Sequence, residues 1–434
     1  MRSVARALES HMSAAQAQAE GVPLSSLDLV GPDTYARHGY PHAAWARLRR
    51  EAPIFWCEPG GDCTPFFAVT KHADVVRISR QPNLLQNGPR LAVFPEGKPP
   101  KERIARHLLN MDPPEHAAFR KLASHRFTPR AIRALQPEIE RISRELLDRL
   151  YAEAAEGEID FVERISGPLP LAVLCDLLGV PRSDWEMLFR WTNQTVGSGD
   201  PEYQADSGSG RDTANDARMQ LFGYFARMAE ERRRRPQDDI TSVLANGRLD
   251  DGSAIPPFEL LSYYFLVVIA GNETTRNAMS GGLLALIENP AELARLRAHP
   301  ELVDSAVEEI VRWTTPVIQF CRTALRDVEI RGQKIRAGQS LCLFYPSANR
   351  DEDVFDEPFR FRLDRHPNPH VAFGIGEHFC LGANLARLEL RVLFRELARR
   401  LVGAELAGPV ERLRSSFLGG VKHMPIRYRL APAS

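Results

Sequence analysis

The stretch Phe373-Gly374-Ile375-Gly376-Glu377-His378-Phe379-Cys380-Leu381-Gly382 decides how the 434-residue chain is read. Glycines at 374, 376 and 382 let the backbone bend tightly and approach a bound group. Cys380 then stands at the head of a helix predicted over 381–401, where loop N–H groups and the helix end favour a thiolate of lowered pKa and so a metal ligand. A dinucleotide fingerprint does not fit, because Phe379 occupies the third glycine position and no strong strand leads into the loop. A zinc site does not fit either, since His378 and Cys380 have no second ligand pair nearby. Taken by itself, the loop reads best as a glycine turn carrying an inert cysteine.

Upstream, a helix is predicted from Pro256-Pro257 to the stop at Pro290, about 45–50 Å long at 1.5 Å per residue. Its apolar run Tyr264–Ala270 ends abruptly at Gly271-Asn272-Glu273-Thr274-Thr275-Arg276. Val267, Ala270, Gly271, Thr274 and Ala278 share one helical face, and most are small or hydroxylated, so a flat, bulky group can lie against it. Glycine and threonine weaken a helix interior, which asks for a reason beyond structure. Between helix and loop lies Glu309-Ile310-Val311-Arg312, whose charged residues pair at i, i+3.

Equal numbers of basic and acidic residues, 56 each, remove any whole-molecule pull toward nucleic acid or anionic membrane. The six cysteines, Cys57, Cys63, Cys175, Cys321, Cys342 and Cys380, form no Cys-x-x-Cys pair. The first residues lack an apolar centre, so no leader is expected and the thiols are expected to be reduced, in a cytoplasm. The longest apolar run falls far short of the roughly 20 residues of a membrane span. Residues 1–22 read as a mobile tail or a loosely docked helix. Runs at 54–60 and 63–70 read as paired strands before a helix from His72, the only substantial strand signal in the first half. Asp112 reads as the cap of a helix over 113–127, and Thr128-Pro129 opens a single helix reaching about residue 157. Residues 198–212 read as a surface loop and candidate lid. A strand-rich stretch covers 324–345, and 426–430 a closing strand.

Phe-Gly-x-Gly-x-His-x-Cys-x-Gly, Ala-Gly-x-Glu-Thr and Glu-x-x-Arg, joined by Asp112-Pro113-Pro114-Glu115-His116 and Phe320-Cys321-Arg322-Thr323-Ala324, resemble the cytochrome P-450 family of soluble bacterial haem-thiolate monooxygenases. The resemblance runs from about Pro23 to the C-terminus. It implies a mainly α fold: a single helical domain over 23–434 with two small β-sheet regions and a long central distal helix. Haem b is the implied cofactor, with Cys380 as axial thiolate. Phe373, Gly374, Gly382 and Ala270 are implied to pack about the haem, and His116, Arg120, Arg322 and His378 to meet its propionates. Glu273 and Thr274 are implied to deliver protons to dioxygen. Glu309, Arg312 and Arg365 resemble the family's buried charge cluster.

The implied reaction inserts one oxygen atom of dioxygen into a C–H bond of a hydrophobic small molecule: a sterol, branched lipid, fatty acid or terpenoid. No redox domain is appended, so electrons are implied to come from a ferredoxin and its reductase, docking on Lys121, Arg126, Arg130, Arg387, Arg391 and Arg395. By family position the pocket takes Val93, Phe94, Val267, Ala270, Val317, Ile318, Phe417 and Leu418, and Arg90 faces solvent. The ending ERLRSSFLGGVKHMP and the run TPVIQFCRTALRDVEIRGQ resemble the actinobacterial sterol and methyl-branched-lipid hydroxylase subgroup. The protein is expected to be a monomer with no nucleic-acid partner. Two alternatives use the same motifs: a peroxide-using or rearranging enzyme, and a non-catalytic haem or ligand binder.

Overall fold

A computed structural model describes residues 19–61, 63–94, 106–196, 200–204 and 210–433. In chain order the helices are α1 (Pro32–His38), α2 (His42–Glu51), α3 (His72–Ser79), α4 (Glu115–Ser124), α5 (Pro129–Arg133), α6 (Gln136–Glu153), α7 (Pro168–Leu178), α8 (Trp185–Val196), α9 (Gly210–Arg234) and α10 (Ile240–Ala245). They continue with α11 (Pro257–Glu288), α12 (Pro290–Ala298), α13 (Val303–Thr314), α14 (Tyr345–Ala348) and α15 (Ala383–Arg400). The strands are β1 (Ile54–Cys57), β2 (Phe66–Val69), β3 (Leu85–Gln86), β4 (Glu156–Asp160), β5 (Gln319–Ala324), β6 (Val328–Ile330), β7 (Gln333–Ile335) and β8 (Ser340–Phe344), then β9 (Leu401–Leu406), β10 (Glu411–Arg412), β11 (Val421–His423) and β12 (Pro425–Leu430).

Proline and glycine set the boundaries that position the site. Pro257 fits the first position of α11, where its missing N–H costs nothing, and Pro290 bars Asn289 from continuing the helix. The 32 residues between run unbroken through the helical core. Near its C-terminal end α11 crosses α13 and α15 at Gly282, where a Cβ would come within 2.7 Å of both Ile310 Cγ2 and Phe394 Cζ. Glycine there sets how closely the three helices approach.

The five-stranded sheet has the order β1-β2-β8-β5-β3, with β2 parallel to β8 and the other pairs antiparallel. Strand alternation divides its side chains between two small cores. Phe66, Ala68, Cys321, Cys342 and Phe344 enter one, with Trp45 of α2; Phe67, Val69, Leu341 and Leu343 enter the other, with Val75 of α3.

The structure corrects several expectations. Among the described residues β structure forms four sheets, not two regions: the five-stranded one, β4-β12-β9, and the pairs β6–β7 and β10–β11. β4, sequence EGEID, lacks apolar alternation and is a strand because β12 and its hydrogen bonds recruit it. Asp112 caps no helix; its carboxylate accepts the backbone N–H groups of Asn87 and Gly88 and so anchors the loop before Phe94. Thr128 does cap α5, accepting from Ala131 N, but the predicted single helix breaks before Gln136-Pro137 into α5 and α6. Of the expected tail, Ala19, Glu20 and Val22 contact α2 through Arg47 and Arg50, and residues 1–18 lie outside the described residues. Of the candidate lid, 198–199 and 205–209 also lie outside them, and 210–212 open α9.

Candidate active site

The loop before α15 is held by its own backbone. Gly374 and Gly376 adopt φ of 70° and 77°, and Cys380 N donates to Phe373 O at 2.8 Å. Gly376 is required on a second count, since a Cβ would lie 2.6 Å from the Ser79 carbonyl oxygen. Of the six cysteines five are buried and Cys380 alone is exposed. Burial raises the thiol's pKa against the opposing Gly382 N–H, Arg120 and Arg387. The expected lowering is therefore corrected: the helix starts three residues later, and the donors at hand do not outweigh desolvation. A cation against the sulfur supplies what is missing, which is the requirement an iron centre meets.

Glu308 supports this loop from α13. Its carboxylate accepts Arg387 Nε at 2.6 Å and Nη2 at 2.8 Å, and lies 3.0 Å from His370 Nε2. The Arg387 guanidinium in turn sits 4.5 Å from the centre of the Phe373 ring. Phe373 is thus fixed from behind.

A second group lies beside the sulfur. His116 and Arg120 stand one turn apart on α4, Arg322 is on β5 and His378 is on the loop. The His116 and His378 rings are 4.0 Å apart, and the Nε2 atom of each is buried without a partner. Burial, with Arg120 nearby, brings His116 down to about 4; burial, with His116, Arg322 and Arg120, brings His378 to about 2. Arg120 Nη2 donates to Phe379 O at 2.7 Å and Arg322 Nη1 to Cys321 O at 2.8 Å. Among the described residues neither arginine forms an ion pair. A nest of donors and positive charge in which neither arginine is ion-paired fits an anionic group such as the haem propionates. Tyr263 of α11, whose buried hydroxyl has no partner, interacts with Arg120; nothing in the sequence pattern singled it out.

On α11 the expected face is narrower than five residues. Ala270 is exposed in mid-helix, with Val267 and Thr274 half-buried at i−3 and i+4. Ala278 is buried, and the missing Cβ of Gly271 points to Leu174 of α7, 3.1 Å away. Thr274 Oγ1 donates to Ala270 O at 2.7 Å. Glu273 points elsewhere: it is fully buried, paired with Arg276, whose Nη1 donates to Asn193 Oδ1 of α8 at 3.0 Å. Burial raises its pKa against the opposing Arg276, and Oε1 is left without a partner. Both polar atoms of the buried Asn272 side chain are likewise unpartnered.

Glu309, Arg312 and Arg365 do meet. Glu309 accepts from Arg312 Nε and Nη2 at 2.7 and 2.8 Å and from Arg365 Nε at 3.0 Å, all three buried. The guanidiniums also cap the carbonyls of Asn349, Pro358, Asp356, Glu357 and Arg360.

The pocket residues divide. Val93 and Ile318 belong to one small core beside the sheet, whereas Val317 and Phe320 pack against the other, and Leu418 is buried opposite Val317. Phe94 is exposed and its ring lies tilted against Phe417, centres 5.5 Å apart, and Phe417 lies 5.6 Å from Phe320. Phe320 is thus the aromatic the sequence reading passed over. Arg90 does not face solvent freely, donating to Thr64 O and Pro65 O. The suggested docking cations are largely paired as well: Lys121 with Asp250, Arg126 with Asp238, Arg387 with Glu308 and Arg391 with Asp304.

Residues 33–401 match the family model described as Cytochrome P450. The chain belongs to the cytochrome P450 family. It is a haem-thiolate monooxygenase, as its relatives' names and the family's cysteine-bound haem establish. This P450 is 38% identical to a methyl-branched lipid omega-hydroxylase of Mycobacterium tuberculosis, over 94% of this chain and 95% of that one. It is 40% identical to a steroid C26-monooxygenase of Rhodococcus jostii, over 93% and 85%. Among solved structures, a P450 of Mycobacterium marinum in complex with pseudoionone aligns with a TM-score of 0.86 at 36% identity, covering 93% of this chain and 99% of that one. Neither the peroxide-using alternative nor the non-catalytic binder is favoured by these names. No helix among the described residues of this P450 is long and apolar enough to cross a membrane.

Proposed function

We propose that this P450 hydroxylates the terminal, branched end of a long hydrophobic molecule, a methyl-branched lipid or sterol side chain, with electrons from a ferredoxin and its reductase. The exposed Ala270 in the middle of the buried α11 carries the reading: beside a small side chain an extended apolar chain end can come close, and its relatives named as lipid ω- and steroid C26-oxidising enzymes support the substrate class. Val267, Phe320, Phe417 and Phe94 give that chain an apolar approach. A domain running from Pro23 onward encloses the site.

Haem, when bound, supplies the activation of dioxygen and the insertion into the C–H bond. The protein's part is holding and proton control. Cys380 Sγ is the ligand, with the Gly382 N–H aimed at the sulfur and Phe373 shielding it. Gly374 and Gly382 let the loop approach closely. Arg120, Arg322, His116 and His378 hold the propionates, and the two neutral imidazoles offer N–H donors without adding two buried charges. Thr274 holds a proton at Oγ1 one turn from Ala270, and Glu273, its carboxyl acid-shifted upward by burial, takes protons from the Arg276–Asn193 side. Glu309, Arg312 and Arg365 hold the polypeptide behind the haem.

A ligand screen by haem spin-state shift, followed by product mass analysis with surrogate ferredoxin and reductase, tests the substrate class. Shifts and terminal alcohols from branched-chain lipids or sterols are expected. Oxidation confined to compact terpenoids or aromatics would overturn the reading.

A further inference from the structure

Four of the six cysteines, Cys57, Cys63, Cys321 and Cys342, line the same small core on one face of the five-stranded sheet. Two of them face each other directly: Cys321 of β5 is the register partner of Cys342 of β8. The ladder settles which kind of pair this is. Tyr345 N donates to Ile318 O and Ala324 N to Gln339 O, whereas Cys321 N turns the other way, to Leu91 O at 2.7 Å. Even-numbered residues of β5 therefore bond β8, and Cys321–Cys342 is a non-hydrogen-bonded pair. In such a pair the Cα atoms lie about 4.5 Å apart with side chains close. A disulfide spans roughly 4.4–6.8 Å between Cα atoms, so closure needs no displacement of the strands.

We infer that Cys321 and Cys342 form a reversible, peroxide-sensitive dithiol site that staples β5 to β8. The chemistry is supported locally. Burial opposes a thiolate at Cys321, but the Cys342 thiol and the Arg90 and Arg322 guanidiniums bring it below its ordinary value, while burial keeps Cys342 a thiol. Cys342 Sγ also lies 3.2 Å from Gln319 Oε1, which orients it. The Cys321 thiolate attacks one oxygen of hydrogen peroxide; the S–O bond forms, the O–O bond breaks, and hydroxide leaves and takes up a proton. The Cys342 thiol then attacks that sulfur, the S–S bond forms, the S–O bond breaks and a second water leaves. Both thiols are oxidised, by two electrons in all, and one peroxide is reduced to two waters. Hydrogen peroxide is at hand, because a monooxygenase that reduces dioxygen without oxidising substrate releases it. Cys57, pushed up to about 12 by burial, stays inert.

The test is intact-mass and peptide mapping of the haem-loaded enzyme after equimolar hydrogen peroxide, with free thiols alkylated under denaturing conditions. The expected result is a loss of two hydrogens, a crosslinked peptide pair carrying Cys321 and Cys342, reversal by dithiothreitol, and a ferrous carbon-monoxide spectrum unchanged by the treatment. Cys342→Ser should instead trap oxygen on Cys321, and Cys57→Ser should behave as the wild type. An unchanged mass, or a disulfide that joins Cys57 or Cys63, would overturn the inference.

Discussion

At the scale of single residues the site separates groups that carry charge from groups kept neutral. Thr274 has its hydroxyl tied to the Ala270 carbonyl, so its proton is held at a fixed place on the exposed face of α11. Thr274→Ala should leave ligand-induced spin shifts intact while product per oxygen consumed falls several-fold, checked by comparing oxygen uptake with product and peroxide. Glu308 gives a pH-dependent prediction. Burial pushes its carboxyl up, but His370 and Arg387 outweigh burial and hold it at about 2, against an ordinary 4.5. Its contribution to stability is then complete above pH 4.5 and is lost as pH falls from 4.5 toward 2. Thermal midpoints of Glu308→Gln should be lower than wild type at neutral pH and converge with it across that acid window. Much of this was legible in sequence, since Cys380, Glu273, Thr274 and the Glu309–Arg312 spacing are local patterns. The partners were not: Asn193 lies 83 residues from Arg276, and only folding brings α8 against α11.

At the scale of elements, glycine placement decides how helices meet. Gly282 of α11 has no room for a Cβ between Ile310 and Phe394, both fully buried, whereas Gly223 of α9 has only the end of Arg227 3.8 Å away. Gly282→Val should destabilise the protein by about 1–3 kcal/mol through overpacking. Gly223→Ala, relieved of glycine's helix penalty, should stabilise it by up to about 1 kcal/mol. Urea midpoints of the two variants check both signs. Helix boundaries at Pro257 and Pro290 could be read directly, because proline restricts the backbone whatever surrounds it. β4 could not, since its polar sequence becomes a strand only through β12. Nor could the facing of the pocket residues: Ile318 enters one small core and Phe320, two residues on, packs against the other, so regular period-2 alternation does not hold between them.

At the scale of the whole molecule, a balanced net charge conceals strong local asymmetry. Arg312 and Arg365 are buried around a single Glu309, and Arg120, Arg322, His116 and His378 gather with no carboxylate bonded among them. Removing the acid from the first cluster leaves two buried guanidiniums uncompensated, on the order of 3–5 kcal/mol. That is a large share of the roughly 5–15 kcal/mol that hold a folded protein together. Glu309→Ala should accordingly give little folded, haem-loaded protein at 37 °C, read as the ratio of haem absorbance to protein. The second cluster is poised for an anionic partner, and beside it stands the one exposed cysteine. The measurement that bears most directly on this arrangement is the ferrous carbon-monoxide difference spectrum of the wild type and of Cys380→Ala. The red-shifted Soret band of a thiolate-ligated haem should appear in the wild type and be absent in the variant; the same band in both would contradict Cys380 as the iron ligand.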